Sequence, residues 1–137
     1  RFGREVPAYA DALARAFWPG ALTLIVRASD HVPSAFAGPD GTVALRMPDS
    51  AVARMLIDAV GMPLATSSAN MSGDAPACAV DDLDAGLTGQ VSLVLDAGPT
   101  KTQVASTVVS CIGAVPQIVR AGSITEEDIN EVCEKVY

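Results

Sequence analysis

Small uncharged polar side chains crowd one short stretch of the chain. Five of them occupy seven consecutive positions: Thr66, Ser67, Ser68, Asn70 and Ser72. Hydroxyl and carboxamide groups both donate and accept hydrogen bonds without carrying charge, and a turn ended by Gly73 can direct several backbone N–H groups at one anion. The stretch therefore suits a loop that binds a phosphate or a carboxylate. The alternative is an ordinary turn, in which serine and asparagine satisfy local backbone groups.

An arginine near the end of an apolar strand is the second candidate for chemistry. Alternation predicts a strand over Thr42–Met47, and Arg46 lies close to its end. An arginine in such a strand costs free energy unless its guanidinium reaches water or an anion, and its planar fork matches a carboxylate. Arg46 is therefore a candidate carboxylate ligand. A surface salt bridge is the alternative.

The elements that must position these side chains are a mixture of helices and strands. The predicted helices are Val6–Phe17, Ala51–Val60, Val80–Leu87 and one ending at Lys135, for which Ser123 with Glu126 and Thr125 with Asp128 are overlapping capping patterns. The predicted strands are Leu22–Arg27, Thr42–Met47, the apolar run after Met62 that leads into the polar loop, Val91–Asp96, Thr107–Cys111 and Gln117–Arg120. Strands in this order need not be parallel, which indicates a mixed α and β architecture.

Composition sets the class of protein. The 137 residues are 50% hydrophobic and 18% charged, which supplies a substantial core for one domain over residues 1–137. No apolar run approaches the length of a membrane span, so we expect a cytoplasmic protein. The net charge is −7, the cations are scattered and aromatic residues make up 4%. Because nucleic-acid binders normally cluster cations and use aromatic platforms, direct RNA binding is not favoured.

The cysteines indicate neither a metal site nor a disulfide framework. Cys78, Cys111 and Cys133 form no Cys-x-x-Cys pair, and His31 is the single histidine. This set does not make an ordinary zinc site, and three is an odd number for disulfides. We expect reduced, unreactive thiols and no protein-bound metal.

Five segments together are similar to the YrdC-like family, the threonylcarbamoyl-AMP synthases. The stretch from Thr66 to Gly73 resembles the family's Ser-Ala-Asn-x-Ser-Gly signature. Four more follow the family's order: Trp18-Pro19-Gly20-Ala21-Leu22-Thr23, Val43-Ala44-Leu45-Arg46-Met47-Pro48-Asp49, Ser106-Thr107-Val108 and Arg120-Ala121-Gly122. The family's N-terminal Lys-x-Arg portion has no counterpart in these residues. The resemblance therefore covers nearly all of this chain but only part of the family domain.

The resemblance implies a fold and a reaction. The fold is α+β, a large twisted mixed sheet of the YrdC/RibB-like type, flanked by helices around a concave cavity. The reaction forms threonylcarbamoyl-AMP and pyrophosphate from L-threonine, bicarbonate and ATP, with Mg²⁺ accompanying the ATP. The product passes to the machinery that makes threonylcarbamoyladenosine on tRNA. Because the Lys-x-Arg charges are missing, we expect these 137 residues alone to bind ATP weakly.

The same resemblance implies roles for individual residues. Arg46 would clamp the threonine carboxylate, and Thr66 and Ser106 would hold the polar groups of the amino acid. Ser68 and Asn70 would be the catalytic pair that faces the triphosphate. Thr42 and Arg120 would join them on the nucleotide side.

Two other functions stay open. A related domain of hydrogenase-maturation proteins adenylates a carbamoyl group, and its activity would depend on carbamoyl phosphate instead of threonine. A double-stranded-RNA-binding module without catalysis is the second alternative. The acidic net charge weighs against it, although Arg46 and Arg120 could line a local basic surface.

Overall fold

Residues 1–136 are described by a computed structural model and fall into two compact units. The first joins Arg1–Ser50 to the chain from Ser106 onward, and the second is Ala51–Ala105. The assignment of one domain to residues 1–137 stays a prediction. None of the helices in the described part is long and apolar enough to cross a bilayer.

The first unit is built on a five-stranded mixed sheet. Its strands are β1 (Gly3–Arg4), β2 (Leu22–Ala28), β3 (Thr42–Leu45), β4 (Thr107–Ser110) and β5 (Gln117–Arg120). The longest strand, β2, pairs antiparallel with β3 and β1 and parallel with β4, and β4 pairs antiparallel with β5. Two of these strands end earlier than predicted, β3 at Leu45 and β4 at Ser110.

Side-chain alternation gives this sheet one buried face. Along β2 the buried residues are Leu22, Leu24 and Val26, with half-buried residues between them. Since successive side chains in a strand point to opposite faces, these three define the core side of the sheet. Val109 of β4 is fully buried in the same core cluster.

Two helices cover that face, α1 (Ala8–Phe17) and α4 (Glu126–Glu134). They supply all the remaining buried core residues except Cys111, which follows β4; the helix residues include Tyr9, Leu13 and Ile129. The helix predicted from Val6 starts two residues later because Pro7 occupies the N-cap position. Trp18 packs against the core, and its indole N–H donates to the carbonyl of Leu22 at 2.8 Å.

The start of α4 follows one of the two predicted capping patterns. The Thr125 hydroxyl accepts from Asp128 N at 3.1 Å, and the Asp128 carboxylate accepts from Thr125 N at 2.9 Å. These reciprocal bonds form a capping box, which satisfies backbone N–H groups that have no partner within the helix. The Thr125 hydroxyl also donates to the Asp128 carboxylate at 2.7 Å, and this bond, followed by the bond from Thr125 N, lowers the pKa of Asp128 below its ordinary value.

The second unit contains helix α2 (Ala51–Val60), with the predicted bounds, and a short helix α3 (Ala85–Thr88). The single helix predicted over Val80–Leu87 is wrong. A 3₁₀ turn at Val80–Asp82 comes first, and α3 follows as a separate helix with Asp84 as its N-cap. The Asp84 carboxylate accepts from Gly86 N and Leu87 N at 2.8 and 3.2 Å, an N-cap that favours a new start over a continued helix.

Two predicted strands are absent from the described part of this unit. Neither the run after Met62 nor Val91–Asp96 forms a strand. Leu93 of the second run is 70% exposed. A strand forms only when a neighbour pairs with its backbone N–H and C=O groups, and neither run has such a neighbour within residues 1–136. The apolar composition of a run therefore does not by itself predict a strand, because it does not show whether a pairing strand is present.

The Thr107 hydroxyl ties the chain leading into α4 to the sheet. It donates to the carbonyl of Ile124 at 2.7 Å and accepts from Ile124 N at 3.0 Å, and Thr107 is fully buried. Thr107→Val keeps the shape but leaves both backbone groups without this partner. We expect urea denaturation to show a loss of about 1–3 kcal/mol in the free energy of unfolding. Thr102→Val, at an exposed threonine, is the control, and an equal effect at both positions would contradict the assignment.

Two of the three cysteine thiols are buried and are therefore protected from chemical modification. Burial, and the nearby Cys133, raise the pKa of Cys111 to about 12, and burial also raises the pKa of Cys133. Since thiolates are the reactive form, we expect a thiol reagent at about pH 8 to modify half-buried Cys78 first. Cys111 and Cys133 should react only in denaturant. Rapid modification of all three thiols in the folded protein would show that the core is open.

Candidate functional site

The sheet face opposite α1 and α4 carries several of the predicted site residues. Val43 and Leu45 of β3 pack against the core, so alternation places Thr42 and Arg46 on the other face. Arg120 of β5 is opposite Val108, which neighbours the buried Val109 and shares this second face. Four residues of the predicted site therefore lie on one side of one sheet: Thr42, Arg46, Ser106 and Arg120.

Ser106 and Arg120 are in direct contact. The Arg120 Nη2 donates to the Ser106 carbonyl at 2.8 Å and to the Ser106 Oγ at 3.0 Å. The Arg120 Nε also donates to that carbonyl, at 3.1 Å. Ser106 is buried at 5% exposure, so these bonds hold the guanidinium in one orientation at the start of β4. The Nη1 of Arg120 makes no bond to any residue in the range 1–136.

Arg46 is held by the turn that precedes β2. Its Nε donates to the Gly20 carbonyl at 2.8 Å, while Gly20 N donates to the carbonyl of Met47 at 2.9 Å. The Trp-Pro-Gly segment and the end of β3 are thereby joined. Among the described residues no group accepts from the two terminal nitrogens of Arg46. Its fork is free to bind an anion in bidentate fashion.

The two guanidinium groups are close enough to act on one another electrostatically. Partial burial, and then the charge of Arg120, lower the pKa of Arg46 from its usual value, although the group remains protonated near neutral pH. Within residues 1–136 neither cation forms an ion pair with a carboxylate, whereas Arg27 reaches Glu5 at 3.4 Å. Two neighbouring cations without a counter-ion repel each other, so an anion bound between them would relieve that repulsion.

Thr42 lies farther along the same strand. It is opposite Arg27 in the register of β2 and β3, and it stands four positions before Arg46 in the sequence. At about 3.3 Å per residue that spacing is roughly 13 Å. The sheet therefore groups Arg46, Ser106 and Arg120 and places Thr42 at a distance from them.

The polar loop belongs to the second unit. Thr66 and Ser68 are exposed in a segment without regular secondary structure. Asn70 holds the following turn closed, because its Nδ2 donates to the carbonyls of Met71 at 2.9 Å and Asp74 at 3.1 Å. Its Oδ1 is buried without a hydrogen-bond partner in the described chain. Asn70 therefore fits both interpretations of the loop. Its Nδ2 fixes the turn, and its Oδ1 acceptor is left for a ligand.

Thr23 belongs to this site but was not among the predicted site residues. Its Oγ1 lies 2.8 Å from the Oγ of Ser106. The two residues are 83 positions apart in sequence, and the parallel pairing of β2 with β4 brings them together. Thr23 lies within a segment that resembles the YrdC-like family, but the sequence carries no sign of its partner.

Comparison with known proteins places this geometry in a family. The model of the Sua5/YciO/YrdC family, described as "Telomere recombination", matches residues 1–122. The chain belongs to this family. A Bacillus subtilis member named threonylcarbamoyl-AMP synthase is 40% identical over 133 residues, which are 96% of this chain and 38% of that protein.

Two solved structures of Sua5 from Pyrococcus abyssi have the same fold. A double-alanine variant superposes with a TM-score of 0.90 at 35% identity, over 96% of this chain and 40% of that one. A complex with L-threonine gives 0.86 at 34% identity, over 96% and 38%. The predicted α+β fold, with an open twisted mixed sheet and flanking helices, is confirmed. The chain spans between 38% and 58% of the length of the first curated Sua5/YciO/YrdC relatives that it matches.

The position of Arg46 depends on a glycine at residue 20. A Cβ at Gly20 would lie 2.2 Å from the backbone oxygen of Phe17, so Gly20→Ala forces the turn to move. We expect a loss of stability above about 2 kcal/mol in urea denaturation, because the turn bonds both Met47 and Arg46. Gly113→Ala, where the nearest atom lies at 3.7 Å, is the matched control. Equal stability of the two variants would show that the turn is not constrained in this way.

Proposed function

We propose that the protein is a threonylcarbamoyl-AMP synthase. It would form threonylcarbamoyl-AMP and pyrophosphate from L-threonine, bicarbonate and ATP, as a step in making threonylcarbamoyladenosine on tRNA. A cytoplasmic location is part of the same proposal, because ATP and tRNA are available there. Transfer to tRNA would then fall to a separate threonylcarbamoyl-transfer machinery.

The observation that carries the proposal is the pair of guanidinium groups on the open sheet face. Within residues 1–136 no group accepts from the two terminal nitrogens of Arg46, and Arg120 repels this guanidinium, which is the arrangement expected of a carboxylate or phosphate site. The Ser106 hydroxyl lies against Arg120 at 3.0 Å and adds a neutral donor. A relative of the same fold has been solved with L-threonine, an amino acid whose carboxylate suits this site.

Roles follow from the chemistry of each side chain. Arg46 would clamp the threonine carboxylate, while Ser106 and Thr66 would bind polar atoms of the amino acid. Ser68 and Asn70 would face the phosphates of ATP, together with Thr42 and Arg120. Arg120 can donate from its Nη1 to a phosphate oxygen while its Nε and Nη2 still orient Ser106.

The reaction requires positioning more than a nucleophilic side chain. The threonine nitrogen attacks the carbon of bicarbonate, the C–OH bond breaks, and the hydroxyl leaves as water with a proton from the nitrogen, which gives a carbamate. A carbamate oxygen then attacks the α-phosphorus of ATP, and pyrophosphate leaves with the electron pair of the broken P–O bond. The protein contributes fixed cations and hydroxyl groups near the developing negative charge, and it limits access of water to an unstable intermediate.

Mg²⁺ enters this proposal with ATP and not as a resident ion. In the described chain no group of three or more His, Cys, Asp or Glu side chains lies together. Mg²⁺ keeps several of its waters and is usually bound through substrate phosphates with one or two carboxylates, so ATP would carry the ion into the site. No step above depends on such an ion held by the protein.

The test of the proposed function is the substrate dependence of pyrophosphate release. We expect release from ATP to require both L-threonine and bicarbonate. Dependence on carbamoyl phosphate instead would identify a carbamoyl-adenylating enzyme. A salt-sensitive shift of double-stranded RNA, without turnover, would overturn the enzymatic proposal in favour of an RNA-binding module.

Arg46→Ala should weaken L-threonine binding and spare ATP. We expect a loss of about 1.5–3 kcal/mol in calorimetric titration with threonine, because the variant removes a charged hydrogen-bonding fork. Arg46→Lys keeps the charge without the fork and should recover only part of the loss. Arg15→Ala, which removes an exposed arginine paired with Asp11 on α1, is the control. Equal losses of threonine and ATP affinity would refute the carboxylate assignment.

A further inference from the structure

Thr23 contributes a side-chain hydroxyl to the candidate site. It projects from the half-buried face of β2, between the buried residues Leu22 and Leu24. In the register of β2 and β3, Leu24 is opposite Leu45, so Thr23 comes level with Arg46 one residue further on. Thr23 thus lies between the end of β3, which Arg46 follows, and the start of β4, which Ser106 precedes.

The hydrogen bonds around Ser106 leave few choices for its proton. A serine hydroxyl has one proton to donate and two lone pairs that accept. Arg120 Nη2 occupies one lone pair, since a guanidinium can only donate. The bond to Thr23 at 2.8 Å can run in either direction. If Thr23 donates, both lone pairs of Ser106 are filled and its proton points to a third partner.

A bound carboxylate determines which of the two hydroxyls donates in the hydrogen bond between Thr23 and Ser106. When an acceptor lies beside Ser106, the order Thr23 to Ser106 to carboxylate gives every hydroxyl proton an acceptor. The reverse order leaves the Thr23 proton without one, because no other hydrogen bond of the Thr23 hydroxyl occurs within residues 1–136. Satisfying each polar group lowers the free energy of a partly buried site. Ser106 then acts only as a donor to the ligand.

We infer that Thr23 is a positioning residue for amino-acid binding. Its hydroxyl donates to Ser106 and thereby commits the Ser106 proton to a carboxylate oxygen of the substrate. The inference rests on the proposed function, in which the amino acid is L-threonine. Thr23 itself touches Ser106 and not the substrate.

The test uses Thr23→Val, which keeps the β-branched shape and removes the hydroxyl. We expect L-threonine affinity, titrated in the presence of ATP, to fall about five- to tenfold while ATP affinity changes less than about twofold. Thr23→Ser restores the hydroxyl and should recover most of the affinity. Ser110→Ala, which removes a half-buried hydroxyl from β4, should leave both affinities unchanged.

A double-mutant cycle distinguishes a role through Ser106 from a general effect on the sheet. In a Ser106→Ala background, Thr23→Val should cause little further loss of threonine affinity, because its partner is already gone. Full additivity, or a wild-type affinity in Thr23→Val alone, would overturn the inference while the proposed function stands. If the unmodified protein binds no L-threonine at all, the proposed function fails and this inference fails with it.

Discussion

The parallel pairing of β2 with β4 is the constraint on which the first unit depends. It aligns Leu22–Ile25 with Thr107–Ser110, two segments that are far apart in sequence. On one face the pairing buries Leu22, Leu24 and Val109 beneath the helices. On the other face it brings the hydroxyls of Thr23 and Ser106 within 2.8 Å. Core and candidate site therefore form together, and a change of one residue in register would exchange the two faces.

Two neighbouring arginines give that second face a local positive charge. The protein carries a net charge of −7, yet the two guanidiniums of Arg46 and Arg120 meet without an acidic partner among the described residues. Their mutual repulsion costs free energy in the ligand-free protein and falls when an anion binds. An anionic ligand that binds to this face should therefore also stabilise the folded state. Local arrangement, and not net charge, decides what this surface attracts.

Local signals in the sequence predicted what depends on local interactions. Thr125 and Asp128 cap α4 because both partners lie within one turn, and α2 follows a continuous helical pattern. The strand predicted over Val91–Asp96 is wrong because a strand requires a partner that the pattern does not reveal. For the candidate site, the family motifs supplied Arg46, Ser106 and Arg120, and the structure places these three together. Thr23 was missed because its role is defined by a neighbour 83 residues away.

Adjacent residues of the Ser-Thr-Val segment serve opposite sides of the sheet. Thr107 is fully buried, and its hydroxyl binds both backbone groups of Ile124, which fixes the approach to α4. Ser106, one residue earlier, points to the other face and bonds Arg120 and Thr23. Because side chains alternate along a strand, a segment with two neighbouring hydroxyls can serve the core with one and a ligand with the other. The same alternation links the two roles, because a shift of this strand that separates Thr107 from Ile124 also moves Ser106 away from Arg120.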